Sequence, residues 1–279
     1  MYIYTIARVL VVIVALTAVV QATERRIVLA STTSADNSGL YDYLLPRFTA
    51  TTGIRVDVIA AGTGRALKIA EQGDADLLIV HDEQSELAFV NSGYGIDRCT
   101  FMYNDYVLVG AAADNLSISN NPTTDIAQAM QIIATNAATF ISRGDDSGTH
   151  KKELALWALA GVDITAADAW YREVGAGMGA TLNIANELSA YTLADRSTWI
   201  SFNNRDNLVI VKENDPLLYN YYSVILVNPK RWSKINSQDA RSFYQWLLSP
   251  QSLELIKSFN IRGLQLFYPL KIDHSSEFC

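Results

Sequence analysis

Strand-like and helix-like segments alternate along the first third of the chain, and this alternation constrains the fold more than any other feature. Short apolar runs at 26–30, 54–60 and 77–80 predict buried strands. The segments between them, 39–51 and 65–72, have the pattern of helices. A strand that is followed by a helix and another strand is the building unit of a parallel sheet with helices on its faces. The sequence therefore predicts an α/β fold.

A second unit of the same kind begins near residue 103. Further strands are predicted at 106–110, 140–142 and 222–227. Further helices are predicted at 125–136, 150–160, 182–193 and 239–259. No stretch rich in Pro or Ser separates the two units, so we expect short hinges between them instead of a flexible tether.

The composition is apolar and acidic, which narrows the class of protein. Of the 279 residues, 49% are hydrophobic and 18% are charged, a balance typical of a globular chain. The net charge of −7 without a basic stripe argues against nucleic-acid binding. The histidines, His81, His150 and His274, are too widely spaced for a zinc cluster, and we interpret His81 and His274 as structural or surface residues. We expect no structural disulfide between Cys99 and Cys279, because Cys279 is the last residue and chain ends are usually mobile.

Residues 1–22 have the pattern of a secretory signal peptide. Arg8 supplies a positive charge, 9–20 is an apolar run of twelve residues, and Val20-Gln21-Ala22 has small residues at the cleavage position. The run is shorter than the roughly 20 residues of a spanning helix, and an uncleaved membrane anchor is the alternative. Cleavage after Ala22 would leave a net charge of −8, and no cysteine follows the run as a lipid attachment point. We therefore expect an exported, periplasmic protein.

Three loops rich in Gly, Ser and Thr each follow a predicted strand and open a predicted helix. They are 31–34, 62–64 and 143–149, and a fourth candidate is 177–181. Such a junction presents unpaired backbone N–H groups at the positive end of a helix dipole, which suits it to bind an anion. In an open α/β sheet these junctions gather at the carboxyl edge of the strands, where ligands bind. The loops therefore predict a shared anion site.

Each loop by itself has a simpler explanation. Ser and Thr before a helix usually cap it, and Gly usually serves a turn. Arg143 favours anion binding for its own loop, because its planar guanidinium precedes the Ser-Gly-Thr of 147–149 and suits a tetrahedral oxyanion. A salt bridge with Asp145 or Asp146 is the alternative role of Arg143.

Four stretches of the sequence resemble the periplasmic tungstate-binding proteins of ABC importers, which belong to the type II periplasmic solute-binding proteins for oxyanions. The stretches are LASTTSADNSGLYDYLLPRF, GIRVDVIAAGTGRALKIAEQGDADLLIVH, SRGDDSGTHKKELALW and GAGMGATLNIANELSAYTLADR. SRGDDSGTHKKE is specific, whereas GTG alone would be weak. The similarity runs from about Ile27 to Gly263. One departure lies at 218–222, where family members often have Asn-Pro-Tyr, and it concerns the hinge more than the anion site.

This resemblance implies a two-lobed type II periplasmic-binding-protein fold with a two-strand hinge and tungstate or molybdate in the cleft. One lobe would comprise 23–105 with 233–279, the other 106–232, and the hinge crossings would lie near 103–107 and 228–236. Carried over by motif, the ligand-binding residues would be Thr33, Ser34, Thr63, Gly64, Arg143, Ser147, Gly148 and Thr149, with a weaker set of Gly179, Ala180 and Thr181. The partners would be the permease and ATPase of an importer. The binding protein would be a monomer without a cofactor.

A site made only of hydrogen-bond donors predicts a preference for fully ionised oxyanions, namely tungstate, molybdate or sulfate. Phosphate keeps a proton at neutral pH and would need a carboxylate acceptor. Asp76 is the one candidate acceptor beside a motif, and a strand-start cap or turn is its alternative role. The spacing of Arg143 and 147–149 is also similar to that of phosphate-binding relatives, so phosphate stays open as a ligand.

Two other classes of function are alternatives to anion binding for transport. Residues 144–148 superficially resemble a serine hydrolase, but their order is G-x-x-S-G and not G-x-S-x-G. His150 also follows Ser147 too closely for the usual catalytic triad, so the sequence predicts a protein that is not an enzyme. A sensory module for a different small anion is the second alternative, and neighbouring genes for a permease and an ATPase would argue against it.

Overall fold

A computed structural model of the chain describes residues 24–121, 123–166, 169–271 and 279. The predicted signal peptide at 1–22 and His274 lie outside the described residues. The strands are β1 (Arg26–Thr32), β2 (Arg55–Ala61), β3 (Leu77–Val80), β4 (Gly95–Ala111), β5 (Phe140–Ser142), β6 (Tyr171–Glu173), β7 (Thr192–Asp195), β8 (Leu208–Lys212), β9 (Tyr219–Val227), β10 (Asn260–Ile261), β11 (Leu264–Gln265) and β12 (Tyr268–Pro269). The α-helices are α1 (Thr33–Asn37), α2 (Leu40–Thr52), α3 (Thr63–Glu71), α4 (Glu83–Asn91), α5 (Ile126–Thr135), α6 (Gly148–Leu159), α7 (Met178–Leu188), α8 (Arg196–Ser201), α9 (Ser237–Leu247) and α10 (Pro250–Ser258). Among the described residues, none of the helices has the length and apolar character needed to cross a membrane.

The strands of the first unit form the predicted parallel sheet. β1 lies between β2 and β3 and is parallel to both, with Thr32 opposite Ala61 and Ser31 opposite Ile79. β9 and β4 extend the sheet by antiparallel pairing, in the order β12-β4-β9-β3-β1-β2. Apolar clusters cover both faces of this sheet, which explains why β3 is a continuous apolar run. The α/β prediction is confirmed.

Strand β4 is far longer than the strand predicted at 106–110. It has 17 residues, of which the first part pairs with β9 and the last part with β7 and β8. The prediction missed the first part because charged and amide side chains such as Asp97, Arg98 and Asn104 interrupt its apolar pattern. Strand β4 therefore runs through both halves of the molecule.

Buried side chains form two lobes around this strand. The first lobe packs on the two faces of β1, β2, β3 and β9, and the second packs around β5, β7 and the last part of β4. Tyr222 and Leu226 of β9 belong to a cluster of the first lobe, whereas Leu218 belongs to the second. The lobe limits given above stay a prediction. Because β9 pairs with β3, we propose that the second hinge crossing precedes Tyr219, whereas the sequence placed it near 228–236.

Two predicted helices have different bounds in the structure. The single helix predicted at 239–259 is two helices, because Pro250 cannot continue α9 and instead begins α10. The Ser249 side chain caps α10 by accepting the backbone N–H of Ser252 at 3.3 Å. Helix α7 begins at Met178 and not at 182, because the extended backbone of Gly177 lets the helix start inside the glycine loop.

The expectation that the two cysteines do not pair was wrong. Cys279 forms a disulfide with Cys99, which is fully buried in β4. The cause lies in β12, which runs antiparallel to β4 with Tyr268 opposite Tyr103. The backbone N–H of Leu270 then donates to the Phe101 carbonyl at 2.8 Å, so the described part of this segment runs along β4 in the direction of Cys99. A contact between segments so far apart in the chain leaves no local pattern in the sequence.

Gly73 provides a test of packing in the first lobe. Its φ is +74°, and a Cβ there would lie 2.6 Å from Cγ of Trp232. We expect Gly73→Ala to lower the free energy of unfolding by about 2–4 kcal/mol, because a strained backbone and an overlap with the indole add. Gly161→Ala is the matched control, because Gly161 has φ +69° but no neighbour within 4 Å. We expect this variant to lose about 1 kcal/mol of its free energy of unfolding. Urea denaturation measures both, and equal losses would contradict the steric argument.

Candidate functional site

Strands β1, β2 and β3 end side by side, so the segments after them meet at one edge of the sheet. Helix α1 begins at Thr33 directly after β1, and α3 begins at Thr63 shortly after β2. Thr33 and Gly64 are exposed, Ser34 is partly buried, and Thr63 is buried with no hydrogen-bond partner for its Oγ1 among the described residues. Buried polar atoms are normally paired, so this hydroxyl can still bond with a ligand.

The loop before α6 places the start of that helix beside Arg143. Ser147 caps α6, since its Oγ accepts the backbone N–H of His150 at 3.3 Å. Arg143 Nε lies 3.1 Å from Oδ2 of Asp145, and Arg143 Nη1 lies 3.4 Å from Oγ1 of Thr149. Asp145 Oδ1 also accepts the Ser147 backbone N–H at 3.2 Å. The predicted salt bridge with Asp145 therefore exists, and it holds the guanidinium next to the start of α6.

The glycine loop before α7 lies against the same arginine. The backbone N–H of Ala176 donates to the carbonyl oxygen of Arg143 at 3.1 Å, and Gly177 is the cap residue of α7. Residues 179–180 are exposed. Thr181 is fully buried, and its Oγ1 donates to the Gly177 carbonyl at 3.2 Å, so its hydroxyl proton is already used. The backbone N–H groups of Ala180 and Thr181 also donate to the Gly177 carbonyl, each at 3.1 Å, so the donors left to this loop are the first backbone N–H groups of α7, at Met178 and Gly179.

The side chain of His81 brings the two lobes together here. It follows β3, and its Nε2 lies 3.5 Å from Oγ of Ser34. On its other side, a Cβ on Gly148 would lie 2.3 Å from His81 Cε1, so the ring contacts the first residue of α6. The ring of Tyr222 packs on the imidazole with 4.9 Å between centroids. His81 therefore lies between two of the predicted anion loops, a placement that its interpretation as a structural or surface residue did not anticipate.

His81 and two buried tyrosines of this region, Tyr106 and Tyr222, are uncharged at neutral pH. Burial lowers the pKa of the His81 imidazole to about 4, and its Nδ1 has no hydrogen-bond partner among the described residues. Burial raises the pKa of the Tyr106 hydroxyl well above 10, and a hydrogen bond with Thr149 lowers it only in part. Burial likewise raises the pKa of Tyr222, which leaves a neutral hydroxyl beside Ser34. These groups supply hydrogen bonds without a formal charge.

Several residues in this region were missed by the sequence analysis because they lie on strands and not in loops. Asn220 Nδ2 donates to Asn104 Oδ1 at 2.7 Å where β9 and β4 face each other, and Asn104 Nδ2 reaches the Tyr222 hydroxyl at 3.4 Å. Tyr106 on β4 and Asp195 at the end of β7 are buried nearby. A polar residue inside an apolar strand is the signal that could have identified them, because burial obliges it to find a partner.

Asp76 lies away from this region. It precedes β3, at the amino end of the strand, and its two oxygens accept the backbone N–H groups of Val28 and Asn236, each at 2.7 Å. The predicted loops follow the opposite ends of the strands. Asp76 is therefore a structural turn residue, and its interpretation as an acceptor for phosphate was wrong.

Comparisons with known proteins agree with this architecture. A family model described as a PBP superfamily domain matches residues 18–251. The tungstate-binding protein TupA of Peptoclostridium acidaminophilum is 46% identical over 245 residues, which cover 87% of this chain and 85% of the relative. The solved tungstate-binding protein TupA of Desulfovibrio alaskensis G20 superposes with a TM-score of 0.81 at 42% identity, covering 88% of this chain and 99% of that one.

A second solved structure extends the comparison to transport. The tungstate ABC transporter structure from Geobacter sulfurreducens superposes with a TM-score of 0.75 at 42% identity, over 85% of this chain and 99% of that one. Relatives at this level of identity and coverage share one family and one two-lobed, type II fold. The chain thus belongs to the PBP superfamily and, within it, to the family of the tungstate-binding protein TupA.

Proposed function

We propose that this protein is an extracytoplasmic solute-binding protein that captures a tetrahedral oxyanion, tungstate in the first place, for an ABC importer. The observation that carries the proposal is the convergence of donor groups from both lobes. Ser34 Oγ lies 3.5 Å from Nε2 of His81, and the His81 ring contacts Gly148. Arg143 Nη1 lies 3.4 Å from Oγ1 of Thr149. The names of the relatives at 46% and 42% identity support tungstate as the ligand. Molybdate, sulfate and phosphate are the alternative ligands.

The proposed binding residues supply hydrogen-bond donors, which suit an anion that offers only acceptors. Helices α3, α6 and α7 contribute unpaired backbone N–H groups at their starts. A bound oxygen would also pair the orphaned Oγ1 of Thr63. The proposed set is Thr33, Ser34, Thr63, Gly64, Arg143, Ser147, Gly148, Thr149, Gly179, Ala180 and Thr181. Ala180 and Thr181 are its weakest members, because their backbone N–H groups already donate to the Gly177 carbonyl at 3.1 Å.

The acidity of the chain does not oppose this function. Charges on an exposed surface are screened beyond about 8 Å at physiological salt, so a bound anion responds mainly to the groups that touch it. Hinge closure of the two lobes, a motion typical of periplasmic binding proteins, would exclude water and strengthen each hydrogen bond to the ligand. Local donors therefore outweigh the net charge of −8 that we expect for the exported chain.

Carboxylates near the proposed site are already engaged, which favours a fully ionised ligand over phosphate. Asp145 accepts from Arg143 through Oδ2 and from the Ser147 backbone through Oδ1. Asp195 accepts from Ser197 and from Thr198. A hydrogen phosphate ion would bring a donor that has to share a carboxylate oxygen with these existing bonds.

We further propose that the protein is not an enzyme. The Oγ of Ser147 accepts the backbone N–H of His150, and the Nδ1 of the His150 ring accepts the backbone N–H of Asp146. The two side chains are therefore engaged with the backbone and do not form the hydrogen bond of a nucleophile with its general base. The serine-hydrolase alternative loses its support.

Location and partners follow from the same proposal. Export would use residues 1–22 as a signal peptide with cleavage after Ala22, and the mature protein would act in the periplasm as a monomer without a cofactor. A permease and its ATPase would receive the oxyanion, in keeping with the ABC transporter named for the Geobacter sulfurreducens structure. Genes for these two components beside this one would separate transport from the sensory alternative.

Calorimetric titration of the mature protein with tungstate, molybdate, sulfate and phosphate tests the proposed function. We expect tungstate and molybdate to bind most tightly and phosphate to bind at least 100-fold more weakly, about 3 kcal/mol, because its proton has to compete for carboxylate oxygens that already accept hydrogen bonds. Phosphate binding as tight as that of tungstate would contradict the donor-only site. Absence of binding for all four anions would refute the proposed function.

A further inference from the structure

Position 148 requires a glycine because the His81 ring leaves no room for a side chain there, and not because of its backbone conformation. A Cβ on Gly148 would lie 2.3 Å from Cε1 of His81, and 3.1 and 3.2 Å from the Nδ1 and Nε2 of the same ring. Gly148 has no left-handed φ, so its backbone conformation is open to any residue. The imidazole thus occupies the volume that a side chain at position 148 would fill.

The ring of His81 is held from several sides, which makes it a firm spacer. Tyr222 packs on it, Ser34 Oγ lies 3.5 Å from its Nε2, and Gly148 lies against its Cε1. The charged groups that face it are Asp82 and Asp195. Packed side chains behave as incompressible bodies, so the separation between the starts of α1 and α6 follows from the size of this ring.

We propose that His81 is a specificity-determining residue that keeps the two lobes apart by the thickness of its ring and thereby favours large tetrahedral oxyanions over small ones. This inference rests on the proposed function and states that the His81 side chain determines which oxyanion the protein prefers. Tungsten–oxygen bonds are longer than sulfur–oxygen bonds, so tungstate needs a wider cavity than sulfate. A hydrophobic pocket gains roughly 10- to 200-fold in discrimination from one methylene group, and a whole ring offers at least as much difference in volume.

His81→Ala tests the spacer directly. The lobes of this variant can close further, so we expect tungstate affinity to fall while sulfate affinity is kept or increased. The ratio of tungstate to sulfate affinity, measured by calorimetry at neutral pH, should drop by roughly tenfold or more. If His81 had a purely structural role, His81→Ala would lower the affinities for tungstate and sulfate by the same factor. That result would overturn the inference.

Gly148→Ala and the double variant His81→Ala with Gly148→Ala provide a second, independent test. The single Gly148→Ala methyl overlaps the imidazole, so we expect a loss of roughly tenfold or more for both anions. Removal of the ring makes room for the methyl group, so the double variant should bind sulfate within about threefold of His81→Ala and therefore more tightly than Gly148→Ala. If the double variant binds sulfate no better than Gly148→Ala, the anion itself requires the glycine and the inference is wrong.

The outcomes separate this inference from the proposed function. A wild-type protein that binds neither tungstate nor sulfate refutes the proposed function, and the inference falls with it. A wild-type protein that binds tungstate, with equal losses for both anions in His81→Ala, refutes only the inference. Thermal melting of each variant without ligand shows whether it is folded. The double variant keeps the comparison decidable if His81→Ala alone is unstable, because the added methyl group fills part of the space of the ring.

Discussion

Replacing Arg143 with alanine is expected to weaken tungstate binding by roughly 100- to 1,000-fold, about 3–4 kcal/mol. The guanidinium is only 15% exposed and is fixed by Asp145, so it meets an anion as a preorganised, charge-assisted donor. Its loss would also leave the Asp145 carboxylate uncompensated beside the ligand, and like charges at this distance repel. Calorimetric titration measures the change, and unaltered affinity would exclude Arg143 from the ligand set.

Three further variants separate the contributions of Arg143. Arg143→Lys keeps the positive charge but not the planar guanidinium, so its tungstate affinity should lie between those of the wild type and Arg143→Ala. When Asp145 is already replaced by Asn, the repulsive carboxylate is absent. Arg143→Ala should then cost about tenfold less tungstate affinity than it does in the wild type. Arg241→Ala removes an arginine that pairs with Asp97 on the surface, and should bind tungstate like the wild type.

A loss of stability with rising pH is the second large effect, and it originates at Glu153. This residue of α6 is 1% exposed, and its Oε1 accepts the Tyr171 hydroxyl at 2.8 Å and the Trp157 Nε1–H at 3.2 Å. Burial raises the pKa of the Glu153 carboxyl to about 7 from its ordinary 4.5, although hydrogen bonds from Tyr171, Ser142 and Trp157 lower it in part. The folded protein therefore binds a proton between pH 4.5 and 7 that the unfolded chain releases.

The sign of the effect follows from proton linkage. Since the folded state holds more protons in this range, the contribution of Glu153 to stability is present below pH 4.5 and is lost as pH rises through 7. A pKa shift of this size corresponds to about 3 kcal/mol. His81 acts in the opposite direction: burial lowers its pKa to about 4, so its contribution is lost as pH falls below 6.5.

Glu153→Gln isolates the carboxyl, because glutamine has the same shape and cannot ionise. Urea denaturation of the ligand-free wild type and variant at several values between pH 4.5 and 8.5 gives their difference in free energy of unfolding. We expect the wild type to lose about 3 kcal/mol relative to the variant across this range, whereas the contribution of His81 cancels in the difference. A difference that does not change with pH would show that Glu153 ionises normally in the folded state.

The parts of the fold and site that could be predicted from the sequence are those with local causes. A buried parallel strand such as Leu77–Val80 is a bare apolar run, and the loops at Thr33 and Arg143 combine a strand end, small polar residues and a helix start. Each of these patterns fits within a dozen residues. The sequence also contains a local signal for the division between α9 and α10, since Ser249 and Pro250 form a standard helix start.

What escaped prediction depends on contacts between distant segments. Asn104 and Asn220 acquire meaning only when β4 and β9 pair, and Cys279 reaches Cys99 only because β12 returns along β4. His81 looked like an isolated histidine, because its neighbours Ser34 and Gly148 come from other parts of the chain. Its role could not follow from spacing alone.

The pairing of β4 with β9 has a consequence for how the cleft can close. The two strands are bonded to each other up to Asp105 and Tyr219, where we propose that the chain passes from one lobe to the other. A bonded ladder can twist, but it cannot stretch or slide without breaking its rungs, so closure must be a rotation around the ribbon. Tyr106 directly follows the last pair of this ladder, so we expect it to move little in such a rotation. We therefore propose that the part of the cavity around Tyr106 is formed before an ion binds and that the parts farther from the ribbon close around the ion afterwards.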